Sequence, residues 1–278
     1  MKIGIVGLGL IGGSMAKSIK RHTGDTVWGC DRDGKVLAAA RDSGAVDAPL
    51  TRDNIGACDF ILTAILPRAT VQWVREHGRY IAPQGILIDL CGIKRDLLAG
   101  LTAVARKYGF TYIGGHPMAG REQGGFAASS DDLFDGASMI LTPGGEVGEA
   151  LLERLRDFFA ALGFAGLTVT TPEEHDRIIA YTSQLAHITS SAYIKSPEAL
   201  RRHGFSAGSF RDLTRVARLD PDMWTELMMG NADFLTEQLE RLIGNLSEYL
   251  AALREEDGGR LRRLLQDGCE KKILAGGS

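Results

Sequence analysis

The stretch KIGIVGLGLIGGS, Lys2–Ser14, decides how the rest of the chain is read. Ile3, Ile5 and Val6 make a short apolar, β-branched run, the pattern of a buried strand. Gly7, Gly9 and Gly12 then supply G-x-G-x-x-G, and the residues from Leu10 through Met15, Ala16 and Ile19 continue as a helix to about Arg21. Gly7 permits a tight turn, Gly9 lets the backbone approach phosphates, and Gly12 lets helix and strand pack closely. Free N–H groups at the helix start supply an anion site. The whole turn, Gly7, Leu8, Gly9, Leu10, Ile11 and Gly12, is therefore expected to hold a dinucleotide.

Outward from this turn, Thr26–Cys30 reads as a second strand, followed at once by Asp31, 24 residues beyond Gly7. That spacing suits an acidic residue accepting hydrogen bonds from the adenosine ribose hydroxyls. A carboxylate there repels a 2′-phosphate, which favours NAD over NADP. Arg32 next to it pulls the other way, because an arginine stacks on adenine or pairs with that phosphate.

Strands are expected at residues 60–64, 85–89, 111–114 and 137–143, alternating with helices at 35–42, from Pro67 to about Tyr80, to Tyr108 and from about Val147 to Leu162. This alternation predicts a mostly parallel sheet covered on both faces. Ligands of such sheets sit at the carboxyl ends of the strands. Gly7, Asp31, Ala64, Cys91 and His116 all fall there, so Ala64 and Cys91 join the candidate cofactor residues. His116, held extended by Pro117, is a candidate general base near the nicotinamide. Glu122 is a candidate for pairing with a basic residue or gating the cleft. Gly120–Gly136 lacks a strand or helix period and reads as a loop over the cleft.

Near residues 165–171 the chain changes character. After a short strand at Leu167–Thr170, Thr171-Pro172-Glu173-Glu174 is a helix start with Thr171 as N-cap and Pro172 at N1. One helix is expected over 172–194, a short one near 197–203, a long one from Asp220-Pro221 through Trp224 to Tyr249, and a last one over 260–273. Wide apolar faces on the long helices suggest pairing with a second copy. Ser183 and His187 are one i,i+4 step apart, whereas His175 and His187 lie on different stripes. Arg211 and Arg215, one turn apart if helical, suit a carboxylate.

The composition is ordinary for a globular protein, with 44% hydrophobic and 24% charged residues. A net charge of −3 gives no argument for nucleic-acid binding. The spacings of Cys30, Cys58, Cys91 and Cys269 match no zinc site, and no metal is expected. Unpaired cysteines, a nucleotide-binding strand at the N-terminus and the lack of an 18-residue apolar run lead us to expect a reducing, cytoplasmic setting away from membranes.

Taken together and in order, GLGLIGGS, HPMAG (His116–Gly120), TPEEHD (Thr171–Asp176), TSQLAH (Thr182–His187) and FRDLTRVARLDPDMW (Phe210–Trp224) resemble the prephenate/arogenate dehydrogenases of tyrosine biosynthesis. The resemblance spans Met1 to about Leu250. It implies an α/β Rossmann-type nucleotide-binding domain, residues 1–165, followed by an all-helical substrate-binding and dimerisation domain, residues 166–278. It also implies NAD as cofactor, prephenate as substrate, a homodimer through the helical domain, and oxidative decarboxylation to 4-hydroxyphenylpyruvate. An arogenate-using or dual-specificity cyclohexadienyl dehydrogenase is the nearest alternative. By motif, His116 matches the catalytic histidine and Arg215 the carboxylate-clamping arginine, with Arg211 a basic position nearby. His187 matches a pocket-lining histidine, His175 one at the domain cleft, and Glu122 an acidic residue of a gating ion pair.

Two positions depart from the family pattern. Many members carry a serine where Gly92 stands, bonded to the catalytic histidine; here water, Cys91 or Ser183 substitutes, or the histidine is oriented differently. Gln184 stands where a histidine is frequent, and a glutamine bonds equally to a keto or an amino side chain. Two other readings remain: a β-hydroxyacid or imine-reducing dehydrogenase, for which Lys195 is the candidate lysine, and a non-catalytic NAD-binding protein.

Overall fold

The computed structural model describes residues 1–276. Among the described residues eight strands form one sheet in the order β3-β2-β1-β4-β5-β6-β7-β8. They are β1 (Lys2–Val6), β2 (Thr26–Cys30), β3 (Ala48–Pro49), β4 (Phe60–Thr63), β5 (Ile86–Asp89), β6 (Thr111–Pro117), β7 (Ser138–Pro143) and β8 (Gly166–Val169). Every pairing is parallel except β6 with β7. Helices α1 (Leu10–His22), α2 (Gly34–Asp42), α3 (Pro67–His77), α4 (Arg95–Tyr108) and α5 (Glu149–Ala161) connect the strands. The central strands are buried on both faces, as their unbroken apolar runs require. One core holds Ile3, Ile5, Phe60, Ile88, Ile113 and Phe159; the other holds Val6, Ile61, Leu87, Leu97 and Leu101.

Two differences from the sequence reading bear on the site. Strand β6 runs three residues past Gly114, carrying His116 opposite Ile140 of β7. Pairing with β7 extends a strand whose apolar signal stops at Ile113. Segment 120–136 is also less free than a loop over the cleft. Its longest continuous exposed run among the described residues is Gly120–Gly125. Beyond it, Ser130 N donates to Ser14 Oγ (3.1 Å), Lys17 Nζ donates to the Ser129 carbonyl (2.8 Å), and Phe134 is buried against Phe164.

The helical half begins at α6 (Pro172–Ile179), where Thr171 Oγ1 caps the Glu174 N–H at 3.1 Å. A π-helical segment, Ala180–Leu185, joins α6 to α7 (Ala186–Tyr193), so the single helix expected over 172–194 carries a widened turn. Then follow α8 (Gly208–Thr214), α9 (Pro221–Met229), α10 (Ala232–Arg254) and α11 (Gly258–Leu274). The expected long helix from Pro221 is broken at Gly230–Asn231. A Cβ on Gly230 would lie 2.4 Å from Ile93 Cδ1 and 2.8 Å from Asp96 Oδ2, so a larger residue would have to displace both side chains.

By compactness the described residues fall into two units, Met1–Asn231 and the residues from Ala232 on. Hydrogen bonds explain why α6 and α9 stay with the sheet. Asp176 accepts from the Lys94 and Arg95 N–H groups, and Glu226 Oε1 accepts from Arg68 N at 2.7 Å. The division into 1–165 and 166–278 stands as our proposal for the functional domains. In the second unit α10 and α11 form a hairpin, tied by Tyr249 to the Leu264 carbonyl and by Arg260 to Glu248 and Glu255. Among the described residues no helix is long and apolar enough to cross a membrane.

Candidate active site

The glycine turn has a geometry that assigns each glycine its own task. Gly7 has φ +86°, and a Cβ there would meet Ile65 Cγ2 at 2.3 Å. A Cβ on Gly12 would lie 1.9 Å from the Gly7 carbonyl oxygen. Gly9, the N-cap of α1, has no neighbouring atom within 4 Å of that position, so its face is open to an approaching phosphate. No side chain caps α1, and its first turn carries no acidic residue. The cradle therefore fits a pyrophosphate on steric and electrostatic grounds.

Asp31 follows β2 and its Oδ2 accepts from Leu8 N at 2.8 Å, which locks the carboxylate to the turn. Leu8 is buried, Leu10 and Ile11 are half-buried, and Arg32 is exposed beside Asp31. Ala64 directly follows β4, with its N–H on the Val6 carbonyl. Cys91 is buried, its Sγ 3.2 Å from the Ile65 carbonyl; burial, with Asp89 nearby, raises its thiol pKa far above the ordinary range. Cys91 thus presents backbone rather than a reactive thiolate. Replacing Gly12 by alanine is expected to raise the nucleotide Kd by about tenfold or more, because one hard clash moves the helix start from the strand. Titration with the nucleotide checks this, and an unchanged Kd would contradict the steric reading.

His116, at the far end of β6, sits in a chain of buried polar contacts. Its Nδ1 lies 2.9 Å from His175 Nε2, and His175 Nδ1 lies 2.7 Å from Asp176 Oδ1. Asp176 also accepts from Lys94 N (2.9 Å), Arg95 N (2.9 Å) and Arg95 Nε (3.3 Å). Lys94 is fully buried; its ammonium bonds Asp89 and the Gly115 carbonyl, the latter at 2.6 Å. Tyr112 OH donates to the second Asp89 oxygen at 2.8 Å. Removing one partner of such a buried ion pair typically costs about 3–5 kcal/mol. The other imidazole nitrogen, His116 Nε2, is 3.9 Å from where a Gly92 Cβ would stand. Leu227 packs on the same point, its methyls at 3.5 and 3.6 Å. Burial lowers the His116 pKa well below the usual imidazole value, helped by His175 and the Lys94 charge. Burial also lowers that of His175, against the opposing pull of Asp176.

This turn and this histidine lie on the carboxyl edge of one sheet, where sheets of this kind bind their ligands. Two family models cover most of the chain: prephenate dehydrogenase, nucleotide-binding domain, over residues 15–165, and prephenate dehydrogenase, dimerization domain, over residues 171–267. The chain belongs to the prephenate dehydrogenase family. It is 28% identical to the prephenate dehydrogenase of Bacillus subtilis over 93% of this chain and 72% of that protein. It is 29% identical to the cyclohexadienyl dehydrogenase of Zymomonas mobilis over 98% of this chain and 94% of that protein. The solved prephenate dehydrogenase of Aquifex aeolicus, in complex with hydroxyphenyl propionate and NAD+, superposes with a TM-score of 0.85. That match covers 99% of this chain and 98% of that one at 24% identity.

Within this dehydrogenase fold the remaining candidates fall into two groups. His175 and Gln184 are turned inward. His175 is buried, its Nε2 against His116 Nδ1. Gln184 Nε2 donates to the Leu227 carbonyl (3.1 Å) and its Oε1 accepts from Asn231 Nδ2 (2.9 Å), so both ends of the amide are engaged internally. The others stay available. His187 is half-buried, its Nδ1 on the Ser183 carbonyl (2.8 Å) and its ring 4.0 Å from that of Trp224. Ser183 is half-buried, and among the described residues its hydroxyl makes no hydrogen bond to His116, whose partner is His175. Arg215 is exposed at the end of α8 and forms no ion pair among the described residues. Arg211 is exposed too, 3.9 Å from Asp212, and Glu122 is exposed in the 121–125 segment.

Sequence reasoning missed Asp176, Lys94, Asp89 and Asn231. Asp176 stands in the quoted TPEEHD, but neighbouring residues on a helix do not face one another, so His-Asp adjacency carries no signal. Contact here needs the two side chains to converge on the end of α4, which only the packed fold arranges.

Proposed function

We propose that this dehydrogenase catalyses the NAD-dependent oxidative decarboxylation of prephenate to 4-hydroxyphenylpyruvate. The observation that carries the reading is His116, at the same sheet edge as the glycine cradle, with Nε2 on the side of Gly92 and Leu227. Gly7–Gly12 and Asp31 would hold NAD, which accepts the hydride from the ring carbon bearing the hydroxyl. His116 Nε2 takes the hydroxyl proton as that hydride departs. Loss of the ring carboxylate as carbon dioxide returns an electron pair to the oxygen, and His116 gives the proton back to the new phenol. The overall step consumes no proton, so a weakly basic imidazole suffices as a transient carrier. Arg215 and Arg211 are proposed to bind substrate carboxylate, His187 to line the pocket and Glu122 to gate it.

Use of arogenate, or of both substrates, is the second reading. It is supported by the similarity to the Zymomonas cyclohexadienyl dehydrogenase, as extensive as that to the Bacillus enzyme. Gln184, engaged internally, does not tip the choice. Assays crossing prephenate and arogenate with NAD and NADP test all of this. Fastest turnover is expected with prephenate and NAD; turnover of arogenate alone would reassign the substrate, and turnover of neither would remove the reading.

We also propose a homodimer through the helical half. Ile243, Leu246, Leu250 and Leu253 form an exposed apolar row along α10, at helical spacing. A charge placed in such a seam loses its hydration on association. Leu246→Glu with Leu250→Glu is expected to convert a dimer to a monomer in sedimentation analysis, and an unchanged mass would exclude this row from the interface.

A further inference from the structure

We propose that Asp176 and His175 are positioning residues that fix the tautomer of His116, leaving the free electron pair on Nε2, the nitrogen nearest Gly92. The inference rests on His116 being the base of the proposed reaction, but its first test does not.

The two Asp176 oxygens receive the Lys94 N–H, the Arg95 N–H and Nε–H, and His175 Nδ1. Burial alone would raise this carboxyl's pKa; the hydrogen bonds from His175, Arg95 and Lys94 override it and hold it below the usual carboxylate range. An ionised carboxylate only accepts, so His175 Nδ1 carries a proton. A neutral His175 then has a bare Nε2, which must accept. The atom facing it at 2.9 Å is His116 Nδ1, which therefore donates. A neutral His116 that spends its proton at Nδ1 has an unprotonated Nε2. Each bond sets the direction of the next, from the carboxylate outward.

The surroundings oppose the other arrangement. If His175 took a second proton, it would donate to His116 Nδ1 and drive the His116 proton to Nε2, blocking the base. The groups around the pair are Lys94 and Arg95 at the start of α4, Asp89 on β5, Tyr112 on β6 and Asp176 on α6. Asp89 is already bonded by Lys94 and Tyr112, and Asp176 is saturated by the donors named above. Lys94 adds a fixed positive charge beside both rings. The cluster thus keeps the two histidines neutral and ordered without a hydroxyl at position 92.

Imidazole 15N spectra of the full-length protein at pH 7 test the tautomer directly, with His116→Asn used for assignment. Protonated Nδ1 and bare Nε2 are expected for both His116 and His175. A protonated His116 Nε2 would overturn the proposal, whatever substrate the enzyme uses. In His175→Phe, which keeps the ring volume but removes the acceptor, His116 is expected to lose its single tautomer, and kcat to fall by about 10–100-fold with KM and NAD affinity retained. His175→Gln, whose amide can accept from His116 and donate to Asp176, is expected to recover much of the loss. If His175→Phe keeps both the wild-type His116 signals and kcat, the positioning role is wrong. Should that variant not fold, the wild-type spectrum still decides.

Discussion

Replacing His116 by asparagine is expected to lower kcat by about 10³-fold, within the range that a well-placed general base contributes, while NAD affinity stays near that of the parent. The glycine cradle and Asp31, proposed to hold the nucleotide, are shaped by the turn itself and by the Leu8 N–H rather than by His116. Asparagine keeps a polar side chain but offers no basic nitrogen. As the proposed base, the same residue is expected to set the acid limb of the rate profile. Because burial lowers its pKa well below the ordinary imidazole value, the neutral, active form persists into more acidic solution. Activity should therefore hold as pH falls through about 6.5, the unperturbed value, and drop only through the lower folded value. Stability follows the same sign: the unfolded chain binds these protons first, so the contribution is complete above the unfolded pKa and fades below it. Stopped-flow rates across pH check the limb, and a His116→Asn enzyme of near-normal kcat would remove the mechanism.

For Arg215→Ala we expect KM for the substrate to rise by about 10–100-fold, with little change in KM for NAD. The guanidinium is exposed and free of ion pairs among the described residues, so no internal contact is lost when it is removed. Charge-assisted bonds to a carboxylate contribute roughly 1.5–3 kcal/mol each, which converts to about that change in affinity. Arg215→Lys should recover only part of it, since an ammonium lacks the planar fork. Steady-state kinetics with each substrate varied separately give the answer; an unaltered substrate KM would exclude Arg215 from the carboxylate clamp.

The departure at Gly92 takes on a different meaning beside the His116 cluster. Read along the chain, a glycine in place of serine looks like a missing partner for the catalytic histidine. In the fold, His116 is held from its Nδ1 side by His175 and Asp176, and Gly92 leaves the Nε2 side to Leu227. Gln184 changes in the opposite sense. It reads as a substrate contact, but the π-helical segment turns it toward Leu227 and Asn231.

Lys2–Ser14 and the strand–helix alternation after it determined the nucleotide-binding architecture, because those signals are local: glycine spacing, apolar period and caps act within a few residues. The same locality exposed Asp31 and His116, each at a strand end that the sequence marks. What only the tertiary structure decided is what stands behind His116. Asp176 and His175 come from α6, Lys94 from the start of α4 and Asp89 from β5, up to 87 residues apart in the chain, and buried polar groups find partners only once packing has excluded water.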